Sequence, residues 1–313
     1  MKKVLITGGT GFVGSNFVYK FLELKDEVHL LVRPEAKFWR IEPVKNRVKL
    51  HNVDITKEND VEKFISELKP DFILHFATYG AYQGIQQDVG MTVQTNVLGT
   101  INLLRACAKT GFSCFINTGS SSEYGEKDHA IREDEILEPN NLYGVTKAAA
   151  TMYAHFLAKK ENLPLVTMRL FSVFGPYEEP VRLMPALVRA ALRGERFEAP
   201  SPSIVRDFIF IEDVIGAYLK AIERIDSIKG QIFNIASGEE HSIRESVETV
   251  EKISDIKIEA SYGKVLPRQE EPKMWVADIT KAKTQLNWKP THSFSGGLSK
   301  FITWTRENNL TTK

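Results

Sequence analysis

The chain has 313 residues, of which 42% are hydrophobic and 26% charged, the composition of an ordinary globular protein. Its formal net charge of +1 excludes the strong basic field that attracts nucleic acids or anionic membranes. The longest apolar runs, such as residues 72–77, are too short to span a bilayer, and the strand at residues 4–7 leaves no room for a signal peptide.

Strand and helix signals alternate from the first residues onward. Strands separated by helix-length segments indicate βαβ units and a parallel sheet, and near-continuous apolar strands are expected where helices cover both faces. We therefore predict an α/β fold, a Rossmann doubly wound parallel sheet with a smaller α/β C-terminal lobe. The predicted strands are 4–7, 27–32, 47–53, 71–77, 114–118 and 165–171, and the predicted helices are about 14–24, 57–68, 92–110 and 143–160.

Beyond residue 171 the alternation loosens, because prolines at positions 176, 180, 185, 200 and 202 break the chain into short pieces. A helix at about 183–193 and a strand at 231–235 remain clear, and two later helical patterns flank a proline-containing loop at 265–272. The predicted division is one domain of residues 1–171, to which 206–236 return, and a second lobe of 172–205 and 237–313.

Cys107 and Cys114 are the two cysteines of the chain. So few in this length indicate a reducing compartment and small buried side chains, not a disulfide scaffold. No histidine and cysteine spacing is typical of a zinc site, so we predict no metal. With no signal peptide, these features predict a cytoplasmic protein that binds neither nucleic acid nor membrane.

A glycine-rich segment, Thr7-Gly-Gly-Thr-Gly-Phe-Val-Gly14, lies between the first strand and its helix. Glycines at positions 8, 11 and 14 allow a sharp turn, close approach of the backbone to a pyrophosphate, and tight packing of helix on strand. The helix N-terminus offers N–H groups to an anion. In this strand–turn–helix context the motif predicts dinucleotide binding by the first domain.

In dinucleotide-binding folds of this kind, the residue at the end of the second strand contacts the adenosine ribose. An acidic residue there favours NAD, whereas Arg33 stands there in this chain and favours the 2′-phosphate of NADP. A solvated arginine that leaves NAD possible is the alternative. Asp54, after the third strand, faces the adenine or serves as a turn residue.

Tyr143 and Lys147 begin a predicted helix, one turn apart on the same face. A nearby cation stabilises a phenolate and lowers the tyrosine pKa from its ordinary value near 10, which makes the phenol a usable acid or base. The pair follows a Rossmann opening and a serine-rich strand end, Thr118-Gly-Ser-Ser-Ser-Glu-Tyr-Gly125, and this context favours a catalytic pair.

Across essentially its whole length, the chain resembles the extended short-chain dehydrogenase/reductase family, which acts on nucleotide sugars. The matching segments are 7–14, 54–55, 96–100, 120–125, 143–147, 169–176 and 206–208.

The resemblance implies that Tyr143 is the acid/base, that Lys147 activates it and binds the nicotinamide ribose, and that Ser120 bonds the reacting oxygen. It also implies that Asn96 supports the site through the backbone. The implied cofactor residues are Gly8, Gly11, Phe12, Val13, Arg33, Asp54, Ile55, Phe76, Ala77, Thr78, Thr118, Tyr143, Lys147 and Val173, and the implied substrate residues are Tyr79, Gln83, Ser121, Ser122, Ser172, Arg206 and Arg268.

Two departures from the family pattern bear on the reaction. Ser172 replaces a common asparagine, which puts the expected substrate contact there in doubt. Ser121 and Ser122 stand where sugar-nucleotide 4,6-dehydratases carry acidic residues, and serines remove a C5 proton poorly. Glu123 lies one residue late and is expected to point elsewhere, which argues against a dehydratase without excluding one.

Two reactions fit the remaining pattern. Residues 77–83 and 119–124 are similar to CDP-abequose and CDP-paratose synthases, which imply NADPH-dependent reduction of a 4-keto-6-deoxysugar, and Arg33 agrees. The alternative is a 4-epimerase with tightly held NAD, which uses the same residues. A non-catalytic NAD(P)-binding protein would lack Tyr143 or Lys147, and both are present. The resemblance also implies a homodimer through the helices at 96–109 and 143–160.

Overall fold

The computed structural model describes residues 1–81, 88–263 and 274–308 of the chain. Their contacts divide into two compact units. The first comprises Met1–Gly125, Ile136–Arg169 and Tyr218–Phe233, and the second comprises Glu126–Glu135, Leu170–Ala217 and Asn234–Lys313. This division differs from the predicted one mainly at residues 126–135 and 206–217, which pack within the second unit.

A seven-stranded sheet is the main feature of the described residues. Its strands are β1 Lys3–Thr7, β2 Glu27–Val32, β3 Lys49–Asn52, β4 Phe72–His75, β5 Cys114–Ser120, β6 Leu165–Leu170 and, much later in the chain, β11 Ile232–Ile235. They run in the order β11-β6-β5-β4-β1-β2-β3, and β1 pairs in parallel with both β2 and β4. Strand order therefore reverses beside β1, the position where open α/β sheets bind ligands at the carboxyl ends of their strands.

Helices of 11 to 20 residues connect β1 to β2, β3 to β4, β4 to β5 and β5 to β6, as the alternating pattern predicts. One apolar cluster joins sheet and helices, with Leu5, Ile73 and Phe115 from strands and Val61 and Leu103 from helices. The predicted doubly wound α/β fold is confirmed. The helices are α1 Phe12–Glu23, α2 Glu58–Leu68, α3 Val89–Val93, α4 Thr100–Thr110 and α5 Leu142–Glu161, and Gln94–Gly99 forms a π-helical turn between α3 and α4.

The second unit is built from short strands and helices. Aromatic rings form much of its core, and the centroid of the Phe174 ring lies 5.5 Å from that of Phe210 and 5.9 Å from that of Phe294. Its elements are β7 Ser172–Phe174, α6 Leu183–Arg193, β8 Phe197–Ala199, β9 Val205–Arg206, β10 Phe208–Phe210, the first part of α7 Ile211–Ile228, β12 His241–Ser242, α8 Ile243–Ser254, β13 Ala260–Tyr262, β14 Met274–Trp275 and α9 Phe294–Glu307.

Cys107 and Cys114 are both buried free thiols, as predicted. Burial raises the pKa of each thiol, so neither is a reactive thiolate. Among the described helices, none combines the length and apolar character needed to cross a bilayer.

Candidate active site

The glycine-rich turn has the geometry that its sequence predicts. Gly8 has φ +69°, and a Cβ atom there would lie 2.7 Å from the backbone nitrogen of Ala77 after β4. A Cβ atom on Gly14, in the first turn of α1, would overlap the carbonyl oxygen of Gly8. Neither position has space for a side chain, and the absence of side chains there lets the strand and the helix pack closely.

The start of α1 suits the pyrophosphate of a dinucleotide. Gly11 is the N-cap residue and has no side chain to occupy the helix end, and the first turn carries no acidic residue. Phe12 and Val13 follow at half-buried positions. The first N–H groups of a helix lack intrahelical acceptors and attract anions, so the described residues fit the cofactor that the motif predicts.

The predicted adenosine residues lie after β2 and β3. Arg33 follows β2 as an exposed side chain whose Nε lies 3.2 Å from Oε1 of Glu35. Asp54 Oδ1 accepts hydrogen bonds from the amide and hydroxyl of Thr56, both at 2.9 Å. Ile55 is buried in the apolar cluster of the first unit. Asp54 therefore acts as a turn residue in this structure, and its role toward adenine stays a prediction.

The next predicted cofactor segments follow β4 and end β5. Phe76 is buried and packs against the rings of Phe17 and Tyr218, with centroid distances of 4.8 and 5.5 Å. Ala77 and Thr78 are half-buried in the loop that follows. Thr118 on β5 shares a 2.9 Å hydrogen bond with the hydroxyl of Tyr218. The Thr118 hydroxyl is therefore already hydrogen-bonded within the first unit.

Ser120 ends β5, and Tyr143 and Lys147 lie on the first turns of α5. The turn after Ser120 and the start of α5 are in contact, because a Cβ atom on Gly144 would overlap the carbonyl oxygen of Ser122. The side chain of Asn141 caps α5 and accepts a 2.8 Å hydrogen bond from the Gly144 amide. The structure therefore brings the elements that carry the three predicted catalytic residues together.

Lys147 lies in the interior with only 3% of its surface exposed. Burial lowers the pKa of its ammonium to about 8, and the negative charge of Glu123 opposes that shift. Tyr143, one turn earlier on the same face, is half-buried. A cation beside the phenol favours the phenolate, the electrostatic condition for acid/base chemistry at Tyr143.

The serine-rich turn carries no carboxylate toward solvent. Ser121 is buried and Ser122 half-buried, and Ser120 Oγ accepts a 3.2 Å hydrogen bond from the Ser122 amide. Glu123 is fully buried and accepts hydrogen bonds from the Ser120 amide at 2.8 Å and from Arg169 Nε at 2.7 Å. Glu123 points into the first unit, as expected from its position one residue late.

Asn96 joins the loop after β4 to the start of α5. Its side chain accepts from the Tyr79 amide at 2.8 Å and donates to the Tyr79 carbonyl at 2.8 Å. It also donates to Thr146 Oγ1 at 2.9 Å, and that hydroxyl donates to the Tyr143 carbonyl. The predicted structural role of Asn96 is confirmed, and Tyr79 is held through its backbone.

His75, a fully buried side chain at the end of β4, is not among the residues predicted from the sequence. Its Nδ1 lies 2.7 Å from Thr7 Oγ1 and its Nε2 lies 2.9 Å from Thr100 Oγ1, whose proton goes to the Asn96 carbonyl. Nε2 is therefore the protonated nitrogen. Burial, with the charge of Lys147, lowers the pKa of His75 to about 3 and keeps it neutral. A histidine inside an apolar strand was the sequence signal for this network.

The second unit holds the remaining predicted residues that the structure describes. Ser172 and Val173 are half-buried on β7, and the Ser172 amide donates to the Asp207 carbonyl at 3.1 Å. Arg206 is 5% exposed and its guanidinium lies 5.3 Å from the centre of the Trp275 ring. Gln83 and Arg268 lie outside the described residues. Within the described chain, no group of three or more histidine, cysteine or acidic side chains is arranged to hold a metal.

Comparison with known proteins identifies relatives over nearly the whole chain. A model described as the NAD dependent epimerase/dehydratase family matches residues 4–236. The chain is 28% identical to a UDP-glucose 4-epimerase of Lactobacillus helveticus, covering 93% of this chain and 92% of that protein. It is 27% identical to a GDP-6-deoxy-D-mannose reductase of Pseudomonas aeruginosa, covering 92% of each. The crystal structure of a UDP-glucose 4-epimerase with UDP-glucose, from Thermotoga maritima, superposes with a TM-score of 0.89 at 27% identity, covering 98% of this chain and 99% of that one.

Proposed function

Because the chain belongs to the NAD-dependent epimerase/dehydratase family, whose members are NAD(P)-dependent enzymes, we propose that it reduces the C4 ketone of a nucleotide-linked 4-keto-6-deoxyhexose with NADPH. The apposition of the Ser120 turn and the start of α5, which carries Tyr143 and Lys147, supports redox chemistry at a carbonyl carbon. Arg33 is the observation that carries the choice of reduction with NADPH, and the similarity of residues 77–83 and 119–124 to CDP-abequose and CDP-paratose synthases agrees with it.

In this reaction the chain supplies a proton and a fixed electrostatic environment. Tyr143 donates the phenolic proton to the C4 oxygen, and the Lys147 ammonium stabilises the phenolate that remains. The Ser120 hydroxyl donates a hydrogen bond to the same oxygen, where negative charge develops. When bound, the nicotinamide cofactor supplies the hydride. Gly8, Gly11, Phe12 and Val13 would hold its pyrophosphate at the start of α1.

The cofactor preference rests on charge at the end of β2. Arg33 stands at the position that contacts the adenosine ribose in such folds, and its exposed guanidinium lies beside an exposed Glu35. An arginine there accommodates the 2′-phosphate of NADP, whereas a carboxylate would accept from the 2′-hydroxyl of NAD. Cellular reductions commonly use NADPH, so this residue links the cofactor to the direction of the reaction.

A dehydratase is disfavoured by the side chains around Ser120. Removal of the C5 proton and expulsion of the C6 hydroxyl need an acid and a base. Positions 121 and 122 are serines, and the carboxylate of Glu123 is turned inward onto the Ser120 amide and Arg169. The Glu123 carboxylate is therefore directed at donors of the first unit, which argues against its use as the acid or base of a dehydration.

A 4-epimerase is the second candidate, and the relatives favour it. The proteins similar to this chain include UDP-glucose 4-epimerases, one of them solved with UDP-glucose. An epimerase uses the same tyrosine, lysine and serine but retains its NAD, which oxidises C4 and then returns the hydride to the other face. The two reactions differ in whether the cofactor is consumed.

The test mixes purified protein with NADPH and a panel of CDP-, dTDP-, GDP- and UDP-linked sugars, including 4-keto-6-deoxy forms. Nicotinamide absorbance and product identity are followed together. We expect stoichiometric loss of NADPH with a 4-keto sugar. A changed sugar without net loss of NADPH would establish the epimerase instead, or the dehydratase if water had been lost.

Cofactor choice is tested separately with Arg33→Asp. Loss of a charge-assisted contact to the 2′-phosphate is expected to raise the Kd for NADPH about 10- to 100-fold. NADH should bind at least as tightly as before, because the new carboxylate can accept from its 2′-hydroxyl. Arg132→Asp is the matched control, because Arg132 forms an exposed ion pair with Asp134 at the same spacing and the same 3.2 Å distance. Equal NADPH affinity in both variants would remove Arg33 from the proposal.

A further inference from the structure

Glu123 is a fully buried carboxylate on the turn that follows β5. Its Oε1 accepts hydrogen bonds from the Ser120 amide at 2.8 Å and from Thr151 Oγ1 at 2.9 Å, and its Oε2 accepts from Arg169 Nε at 2.7 Å. Each oxygen is bonded to a donor of the first unit, so the carboxylate is not directed at a substrate. Any effect on the reaction acts through these neighbours.

The first of these effects is mechanical. The bond to the Ser120 amide closes a capping box, in which the Ser120 hydroxyl oxygen accepts from the Ser122 amide in return. Thr151 lies one turn after Lys147 on α5, on the face that also carries Tyr143. A single carboxylate thus connects the Ser120 backbone to the catalytic face of the helix.

The second effect is electrostatic. Desolvation lowers the pKa of the buried Lys147 ammonium to about 8, and the charge of Glu123 acts in the opposite direction. Without that charge, Lys147 would lose its proton at a lower pH. Arg169, whose guanidinium lies 4.5 Å from the centre of the Tyr124 ring, forms a buried ion pair with this carboxylate, with 2.7 Å between Arg169 Nε and Glu123 Oε2.

We propose that Glu123 is a positioning residue that fixes the Ser120 turn against α5 and places its negative charge on the face of that helix that carries Lys147. Its importance for turnover rests on the proposed function, in which Ser120 and Lys147 act on the C4 oxygen and on Tyr143. The charge on Lys147 can be measured without any substrate, so the two proposals fail in different ways.

The first experiment follows the Lys147 side chain by NMR in protein labelled with ¹³C-lysine, with the signal assigned by its absence from Lys147→Arg. Glu123→Gln is expected to lower the pKa of Lys147 by about 1 unit or more. Glu161→Gln, an exposed change at the C-terminal end of the same helix, should leave it unchanged. An unchanged Lys147 pKa in folded Glu123→Gln would overturn the electrostatic part of the proposal.

Glu123→Gln leaves the buried Arg169 without its carboxylate partner, and this variant can fail to fold for that reason. A second pair of variants keeps the proposal testable in that case. Glu123→Gln combined with Arg169→Gln removes both buried charges and is expected to lower the Lys147 pKa. Arg169→Gln alone retains the carboxylate and is expected not to lower it. If both proteins showed the same lowered pKa, Glu123 would not be the source of the effect.

Glu123→Asp separates charge from position, since the shorter carboxylate keeps its charge but cannot reach the Ser120 amide and Thr151 together. We expect a Lys147 pKa close to that of the unchanged protein, with kcat reduced about 10-fold or more and KM nearly constant. Full kcat in Glu123→Asp would contradict the mechanical part. If the unchanged protein converted no nucleotide sugar, the proposed function would be wrong. The Lys147 pKa measured by NMR would still show whether Glu123 stabilises the Lys147 ammonium.

Discussion

The phenol of Tyr143 is the proton donor in the proposed reaction, so Tyr143→Phe removes the reacting proton and keeps the ring. We expect kcat to fall about 100- to 10,000-fold, the usual contribution of a positioned general acid, with cofactor affinity largely unchanged. Tyr153→Phe, the same substitution ten residues later on α5, is the control and should retain turnover. Steady-state kinetics with cofactor binding by fluorescence checks both, and full activity of Tyr143→Phe would refute the mechanism.

Lys147 gives the reaction a defined pH dependence. Because burial places its folded-state pKa at about 8, below the ordinary value of 10.5, the ammonium is present at lower pH and is lost as pH rises through about 8. We therefore expect kcat/KM to decline above about pH 8. Lys147→Arg keeps its positive charge at these pH values, so its residual activity should persist to higher pH. An alkaline limb at the same pH in both proteins would show that another group controls it.

The sequence predicts three catalytic residues but not how their neighbours are connected. Tyr143 and Lys147 are predicted from their spacing and Ser120 from the family resemblance, and the structure places the elements that carry them together. Asp54 could not be assigned, since a turn residue and an adenine ligand share the same local sequence, and here its Oδ1 bonds Thr56. The buried bonds of His75 join residues distant in sequence, such as Thr100, which periodicity does not reveal.

At the level of elements, the turn from β1 to α1 depends on residues without side chains. Gly8→Ala places a Cβ atom in a left-handed conformation and 2.7 Å from the Ala77 nitrogen. Gly194→Ala is the matched control, with φ +65° but nothing within 4 Å of the added atom. Both substitutions place alanine at a similar positive φ, so their backbone strain is comparable, and only Gly8→Ala adds an atom that meets neighbouring backbone. We therefore expect the affinity for NADPH to fall at least about 10-fold in Gly8→Ala and to stay unchanged in Gly194→Ala.

The readout is a direct binding titration, accompanied by thermal unfolding to confirm that both variants fold. Gly194→Ala should bind as the unchanged protein does, with at most a modest loss of stability. Equal affinity of the two variants for NADPH would show that the turn at Gly8 does not bear on the cofactor.

Elements were predicted well where strands and helices alternate and less well where they do not. β2 and α6 have the predicted bounds, whereas the helix predicted at 92–110 is interrupted by the π-helical turn Gln94–Gly99. The 18-residue helix α7 was missed. Helix α7 follows β10 without an intervening loop. The apolar run Phe208-Ile-Phe-Ile211 spans this boundary, so the sequence pattern does not show where the strand ends and the helix begins. A short apolar run does not distinguish the two by periodicity.

At the scale of the whole molecule, helix α5 carries a group of exposed apolar side chains among the described residues of a single chain. Val145, Met152 and Phe156 on α5 are 47%, 64% and 56% exposed, and their spacing places them along one stripe. Leu98, in the turn before α4, is 47% exposed as well. Apolar side chains grouped in this way are typical of an interface between protein chains. They support the expected homodimer through the helices at 96–109 and 143–160.

The double substitution Met152→Glu with Phe156→Glu tests this assembly. Two carboxylates per chain in the centre of an apolar interface remain uncompensated when buried, so we expect the mass in solution to fall from that of two chains to that of one. Ile136→Glu, at a position that is 78% exposed and outside both helices, should leave the dimer intact. Sedimentation velocity over a range of concentrations distinguishes these states. A single-chain mass for the unchanged protein, or a persistent dimer in the double variant, would assign the α5 stripe to some other partner.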